Sequence, residues 1–337
     1  MKLSIEIIRA ISIGAVEVEE KENGFSFHRF TKEQRDLYEQ KKPEHIKKVL
    51  APSGVKLSFR TDSKSFGIKG VTSPGSSRNY FSFDLFVNGE KKDSFNNFSA
   101  VTDKPENSDE FPFGAFDYKF DLGEGDKTAV LYLPWSAHVS FEEITVDDGA
   151  KVEAVKPAKK MLCFGDSITQ GYDAAYSSNS YIARLARCLE VEEYNKAIGG
   201  EIFWPELAST TEAFKPDLIT VAYGTNDWSK SPSLETFKSN CKGFYENLSR
   251  NYPDVPIFAV SPIWRKAYLM EKPCGDFRNV HNFFLEIAKN IPNMTVIDGW
   301  EFVPQDPELF ADKTLHPNDD GFAFYAEGLY RELKKYL

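Results

Sequence analysis

The stretch Lys159-Lys160-Met161-Leu162-Cys163-Phe164-Gly165-Asp166-Ser167-Ile168-Thr169-Gln170-Gly171 decides how the second half of the chain is read. Its first six residues have the character of a short strand, and Ser167 stands on the glycine-bounded turn that follows. A polar loop runs from Asp173 to Ser178. Ser180 to Leu189 then carries apolar residues three or four apart, the spacing of a helix. A serine at the end of a parallel strand, where a turn opens a helix, presents its hydroxyl at the carboxyl edge of the sheet. Backbone N–H groups nearby can face an oxyanion there.

Working outward, strands and helices alternate. Glu192–Lys196 is a candidate strand, and Asp217–Tyr223 is an apolar run such as a buried parallel strand shows. Ser233–Arg250 reads as a helix, Pro256–Val260 as a strand, Asp276–Asn290 as a helix, Met294–Ile297 as a strand and Asp319–Lys335 as the closing helix. The alternation predicts about five parallel strands covered on both faces, with the site beyond their carboxyl ends.

The first half differs. Val55–Arg60, Phe66–Val71, Tyr80–Val87, Thr128–Leu133, Val139–Phe141 and Ile144–Val146 read as short strands, with a hairpin signal at Asn88-Gly89. They predict a β-sandwich. A short helix capped by Thr31 interrupts it. Trp135, Tyr80 and Phe81 could stack on sugars, but aromatics in such strands more often fill a core. Lys151–Lys160, charged and containing Pro157, reads as the linker, so the expected domains are 1–155 and 156–337.

Composition narrows the function classes. The net charge is −10 and the pI about 5.2, which disfavours nucleic acid and leaves no basic anchor for an anionic membrane. Lys41, Lys42, Lys47 and Lys48 cluster, but Glu39 and Glu44 are interspersed. Glu6 and Arg9 break the N-terminal apolar run, so it does not read as a secretory signal, and no run is long enough to span a membrane. Residence in the cytoplasm is the expectation. Cys163, Cys188, Cys241 and Cys274 lack any Cys-x-x-Cys spacing and read as reduced, structural thiols with no metal.

A serine hydroxyl needs a base, and His316, in Asp312-Lys313-Thr314-Leu315-His316-Pro317, is the best candidate. His281 lies in a helix beside Phe283 and Phe284 and reads as packing; His45 lies among charges and reads as solvated.

The octapeptide Phe164–Gly171 resembles the first block of the SGNH (GDSL-type) hydrolase and esterase family. Asn195-Lys196-Ala197-Ile198-Gly199-Gly200 resembles its second block, Tyr223-Gly224-Thr225-Asn226-Asp227 its third, and the His316-Pro317 segment its last. The blocks occur in the family's order over about 160–337. The resemblance implies a three-layer α/β/α, flavodoxin-like domain. It implies Ser167 as nucleophile, His316 as base, and an oxyanion hole from the Ser167 and Gly200 N–H groups and the Asn226 amide. The family's acid lies three residues before its histidine, where this chain has Lys313. Either Asp312 takes the role across a one-residue insertion, or the site is a Ser–His dyad oriented by a backbone carbonyl. Asp166 and Asp227 are expected to brace their loops, and Asp319 and Asp320 to cap the final helix.

A sandwich ahead of such a domain is similar to the two-domain arrangement of family 2 carbohydrate esterases, in which the sandwich is jelly-roll-like. That implies a serine esterase acting on short acyl groups, foremost O-acetyl groups of oligosaccharides, without metal or cofactor. Trp204 and Trp228 follow the second and third blocks closely, Trp264 follows the fourth strand, and all three are candidate walls of a shallow acyl pocket. Competing readings are an acylhydrolase for thioesters or other small esters, and a non-catalytic carbohydrate-binding protein. The partner is then a small-molecule or oligosaccharide ester. The sandwich could bind glycan, close the cleft or join copies of the chain.

Overall fold

The computed structural model describes residues 1–337, the side chain of residue 288 apart. In the second half five strands, β12 (Lys159–Gly165), β13 (Val191–Asn195), β14 (Leu218–Ala222), β15 (Ile257–Val260) and β16 (Met294–Ile297), form one parallel sheet in the order β13-β12-β14-β15-β16. The strand that leads to Ser167 is therefore interior, and its Met161–Phe164 are buried. Helices cover both faces. On one, α8 (Leu234–Asn251) and α9 (Phe277–Ala288) pack in a cluster with Leu162, Ile219 and Val221; on the other, α5 (Tyr181–Leu189) and α10 (Asp319–Leu333) pack with Met161, Cys163 and Leu218. The alternation of faces along β12 follows from the two-residue period of a strand.

The first half holds two antiparallel sheets. One runs β1 (Ser12–Ile13), β4 (Lys56–Thr61), β9 (Lys127–Tyr132), β6 (Ser82–Val87) and β7 (Glu90–Asn96), with β11 (Val152–Ala154) also on β4. The other runs β2 (Glu17–Lys21), β3 (Gly24–His28), β10 (Ala137–Val146), β5 (Ser65–Pro74) and β8 (Ala115–Asp121). One apolar core lies between them; Phe83 meets Phe116 and Phe141 across it at ring distances of 5.4 and 6.2 Å. The Asn88-Gly89 hairpin forms, with both residues at positive φ (51° and 88°), as a type I′ turn requires. Val139–Phe141 and Ile144–Val146 prove to be one strand with a bulge between Phe141 and Glu143. The expected linker is partly structured, because Val152–Ala154 adds a strand beside Phe59–Thr61.

Thr31 caps its helix, α2 (Lys32–Lys41), in a full capping box with Gln34. This helix and the short α3 (Ile46–Val49) belong to the core of the parallel sheet: Phe30, Tyr38 and Val49 are buried with Tyr194, Ile198 and Trp204. Arg29, wholly buried, fixes the junction. Its guanidinium donates to the carbonyls of Lys48 and Ala51 and to those of Asn195 and Ala197, at 2.7–2.9 Å. On the opposite side the loop after the Ser167 turn lies on the sandwich. Trp135 packs against Tyr172, ring centroids 4.8 Å apart, and its indole N–H donates to Ala174 O, while Ser178 N donates to Asp84. Tyr80, Phe81 and Trp135 are buried and face no solvent. Among the described residues, no helix is long and apolar enough to cross a membrane.

Candidate active site

Ser167 is the first residue of a single helical turn, α4 (Ser167–Gln170), directly beyond β12. Asp166 caps that turn by accepting from Ile168 N at 3.0 Å, and Gly171 ends it at φ 109°. Space explains the small residue before the cap: a Cβ on Gly165 would lie 2.2 Å from Thr169 Oγ1 and 3.0 Å from Ala222 O.

His316 arrives from the loop that precedes α10. Its Nε2 lies 2.8 Å from Ser167 Oγ, and its Nδ1 lies 2.8 Å from Asp312 Oδ2. Asp312 Oδ1 accepts three backbone N–H groups, from Thr314, Leu315 and His316, at 2.7–3.1 Å. Burial opposes the charge on Asp312, but the His316 hydrogen bond, the imidazole's charge and these amides together hold its carboxyl well below the usual range. The extra residue is absorbed by Lys313, which takes a left-handed conformation at φ 57°. The carboxylate four residues back thus reaches the ring.

The turn that carries Gly200 is tied to the serine turn. Ile198 N donates to Gly165 O at 3.1 Å, and Gly199 N donates to Gln170 Oε1 at 2.6 Å. Gly200 has φ 86°, and a Cβ there would lie 2.9 Å from Lys230 Nζ. Asn226, on α7 (Thr225–Lys230), donates from its amide to Glu201 O at 3.1 Å, which places it beside that turn. Lys48 Nζ donates to Gly199 O and Lys230 Nζ donates to Gly200 O. Lys42 closes on the buried carboxylate of Glu201. The basic cluster of the first half thus sends two of its lysines into this corner, and His45, expected in solvent, is buried against it.

Asp227 is a brace: buried, it accepts from Phe203 N at 3.0 Å and Gly224 N at 3.2 Å. Burial pushes its carboxyl up to about 7, and that of Asp166 up to about 6. Asn318, not Asp319 or Asp320, caps α10, by accepting from Asp320 N and Gly321 N. Asp319 instead reaches Ala175 N at 2.9 Å and the Asn179 amide at 2.8 Å, so it secures the loop behind the serine.

The tryptophans separate. Trp228 is a core residue, 1% exposed, with its indole N–H on Gly275 O at 2.8 Å. Trp204 is covered by Tyr38 and by the Lys42 ammonium 4.2 Å over its ring. Neither is available as a pocket wall. Trp264 alone lines an open cleft, of about 560 Å³, with Tyr268, Trp300, Asp298, Glu301 and Arg278. That cleft opens at the carboxyl ends of β15 and β16. His281 packs at its floor against Trp300. A larger cleft, of about 840 Å³, lies at the amino-terminal edge of the parallel sheet beside Lys159 and Val191, at the opposite end from Ser167. All four cysteines are free thiols; Cys188 is exposed and the other three are buried.

Residues 163–324 match the model of the GDSL-like Lipase/Acylhydrolase family. The second half of this chain belongs to that family. No curated protein sequence matches the chain. Solved structures of similar fold extend over the sandwich as well. The salicylyl-acyltransferase SsfX3 from a tetracycline biosynthetic pathway superposes with a TM-score of 0.77 at 22% identity, covering 96% of this chain and 94% of that one. A family two carbohydrate esterase from Cellvibrio japonicus does so with a TM-score of 0.64 at 15% identity, over 96% and 94%. One from Clostridium thermocellum, in complex with cellohexaose, gives 0.62 at 19% identity, over 84% and 92%. The GDSL-like domain and its sandwich therefore share the two-part fold of these proteins.

Proposed function

We propose that the protein is a serine esterase that removes short acyl groups, most readily acetyl groups from the hydroxyls of an oligosaccharide. The observation that carries this reading is the 2.8 Å approach of Ser167 Oγ to His316 Nε2. In the proposed reaction His316 takes the serine proton as Oγ attacks the ester carbonyl. The oxyanion is met by the N–H groups of Ser167 and Gly200 and the amide of Asn226. The tetrahedral adduct collapses, the alcohol leaves with the proton from His316, and water repeats the sequence on the acyl-enzyme. Asp312 holds the ring in the tautomer that leaves Nε2 free to accept, and stabilises the imidazolium. No step needs a metal or an organic cofactor.

The carbohydrate assignment is supported by the open cleft at the carboxyl ends of β15 and β16, the same edge of the parallel sheet that carries Ser167. Tyr268 and Trp300, both half-buried, offer aromatic surface, with the largely buried Trp264 behind them, and Asp298, Glu301 and Arg278 offer partners for hydroxyls. The fold likeness to carbohydrate esterases points the same way. We further propose that 1–155 and 156–337 act as sandwich and hydrolase units, and that the sandwich is jelly-roll-like. Sheet neighbours far apart in sequence, such as β4 beside β9 and β3 beside β10, support this. Residence in the reducing cytoplasm is part of the proposal, supported by the four free thiols, as is the absence of nucleic-acid or membrane partners.

The test is acetate release from acetylated xylo-, manno- and gluco-oligosaccharides, beside a 4-nitrophenyl ester series from acetyl to octanoyl. Release from one glycan and a rate that falls with chain length are expected. Cleavage of octanoyl ahead of acetyl, without glycan deacetylation, would refute the carbohydrate reading and favour an acylhydrolase of other esters.

A further inference from the structure

A second carboxylate stands at the histidine. Asp173 Oδ2 lies 3.4 Å from His316 Nδ1, the nitrogen that Asp312 engages at 2.8 Å. Asp173 is buried and sits at φ 70°, a left-handed conformation held by its partners. Those partners come from the sandwich. Arg78 grips the carboxylate with both arms of its guanidinium, Nε to Oδ1 at 2.5 Å and Nη2 to Oδ2 at 2.9 Å, and the Tyr80 hydroxyl donates to Oδ1 at 3.1 Å. The pair is shielded, with side-chain exposures of 11% for Arg78 and 2% for Asp173.

Two carboxylates cannot share one imidazole nitrogen as free anions. Their repulsion would protonate one of them, and the sum of their fields would hold the proton on His316 that the reaction must pass on. A bidentate guanidinium removes this conflict, because the Arg78–Asp173 pair is neutral as a unit while its geometry is rigid. We propose that Arg78 and Asp173 are positioning residues through which the sandwich sets the charge felt by the catalytic histidine. The accessory unit is then part of the active site: without it, the site holds one acid too many. This inference rests on the serine-esterase reading above.

The charged and titratable groups around His316 are few enough to make the signs clear. Ser167 faces Nε2; Asp312 and Asp173 face Nδ1; the Tyr172 ring stacks on the imidazole at 5.8 Å and has the Arg78 guanidinium 5.3 Å from its centroid. Asp166, next to Ser167 in the chain, is within electrostatic reach of His316, and Arg265 is within reach of Asp166 and Asp312. Removal of Arg78 alone adds net negative charge at the ring. Removal of the Asp173 charge alone adds net positive charge.

The experiment is the pH profile of kcat/KM for 4-nitrophenyl acetate with wild type, Arg78→Met, Asp173→Asn, the double variant and Arg78→Lys. The acid limb should rise by about one pH unit in Arg78→Met and fall by about one in Asp173→Asn. The double variant and Arg78→Lys should return close to wild type. A purely structural role would lower rates in both single variants without opposite movements of the limb. Limbs that stay in place, or that move in the same direction, overturn the inference. Should Arg78→Met not fold, Asp173→Asn decides alone, and an unmoved or raised limb refutes. Should wild type cleave no ester and Ser167 fail to react with a fluorophosphonate, the esterase reading fails instead. The same opposite shifts are then read from titration of the His316 ring by NMR.

Discussion

Asp312→Asn isolates one interaction. The asparagine keeps an oxygen for the three backbone N–H groups that Asp312 Oδ1 accepts, so the loop retains its shape. What is lost is the negative charge 2.8 Å from His316 Nδ1. With charge centres about 4 Å apart and an effective dielectric of about 20, that charge stabilises the imidazolium by about 4 kcal/mol. Converted at 1.36 kcal/mol per decade, this is roughly a thousandfold in rate. Asp173 lies 3.4 Å from the same nitrogen, but its charge is taken up by Arg78, so it offsets only part of the loss. The expected fall in kcat for 4-nitrophenyl acetate is therefore about 100- to 1000-fold, with KM nearly unchanged, because the imidazolium forms only on the way to the transition state. A fall of less than about fivefold would refute the reasoning and leave a Ser–His dyad with a ring held by backbone and by Tyr172.

Three further outcomes follow from the geometry. Because the Asp312 carboxyl is depressed in the folded protein, its contribution to stability is present above the ordinary aspartate range and lost as pH falls toward its native value; urea titrations at pH 6 and pH 3 should show Asp312→Asn losing less stability on acidification than wild type. Gly200→Ala should lower kcat by roughly 100-fold, since a Cβ is strained on this left-handed backbone (φ 86°) and its relief shifts the N–H, while the nearby Lys230 ammonium can swing aside; an unchanged kcat excludes that N–H from the oxyanion hole. Arg29→Met strips a donor from three buried carbonyls and one partly buried one and should cost about 3 kcal/mol or more, read as a lower urea midpoint; an unchanged midpoint shows that those carbonyls find other donors.

Much of this arrangement was legible in the residues. The parallel strands are short apolar runs buried on both faces, which is why Leu218–Ala222 and Ile257–Val260 fall where the pattern put them. The elements that escaped have weak local signals. Glu17–Lys21 exposes four of its five residues and shows no clear alternation, yet it pairs with Gly24–His28 along its length. Val152–Ala154 looks like a charged linker and becomes a strand only because β4 has a free edge there. At the site, Ser167 and His316 carry a local sequence context, whereas Asp173 looks like any acid in a polar loop. Its position depends on Arg78 and Tyr80, nearly a hundred residues away in sequence, and no spacing rule connects them. Lys48 is similar: in sequence it belongs to a solvated cluster, but the fold turns its ammonium onto Gly199 O. Trp204 and Trp228 mislead in the opposite way. Proximity to the blocks suggested a pocket, but aromatics beside a buried sheet are first of all core.

The central claim is that Ser167 is a nucleophile activated by His316. Its most direct test is the intact mass of the protein after incubation with a fluorophosphonate, for wild type, Ser167→Ala and His316→Ala. One adduct on wild type, mapped to Ser167, none on Ser167→Ala, and labelling slowed by about a thousandfold in His316→Ala are the predicted results. An unlabelled wild type, or an adduct that survives Ser167→Ala, would contradict the account.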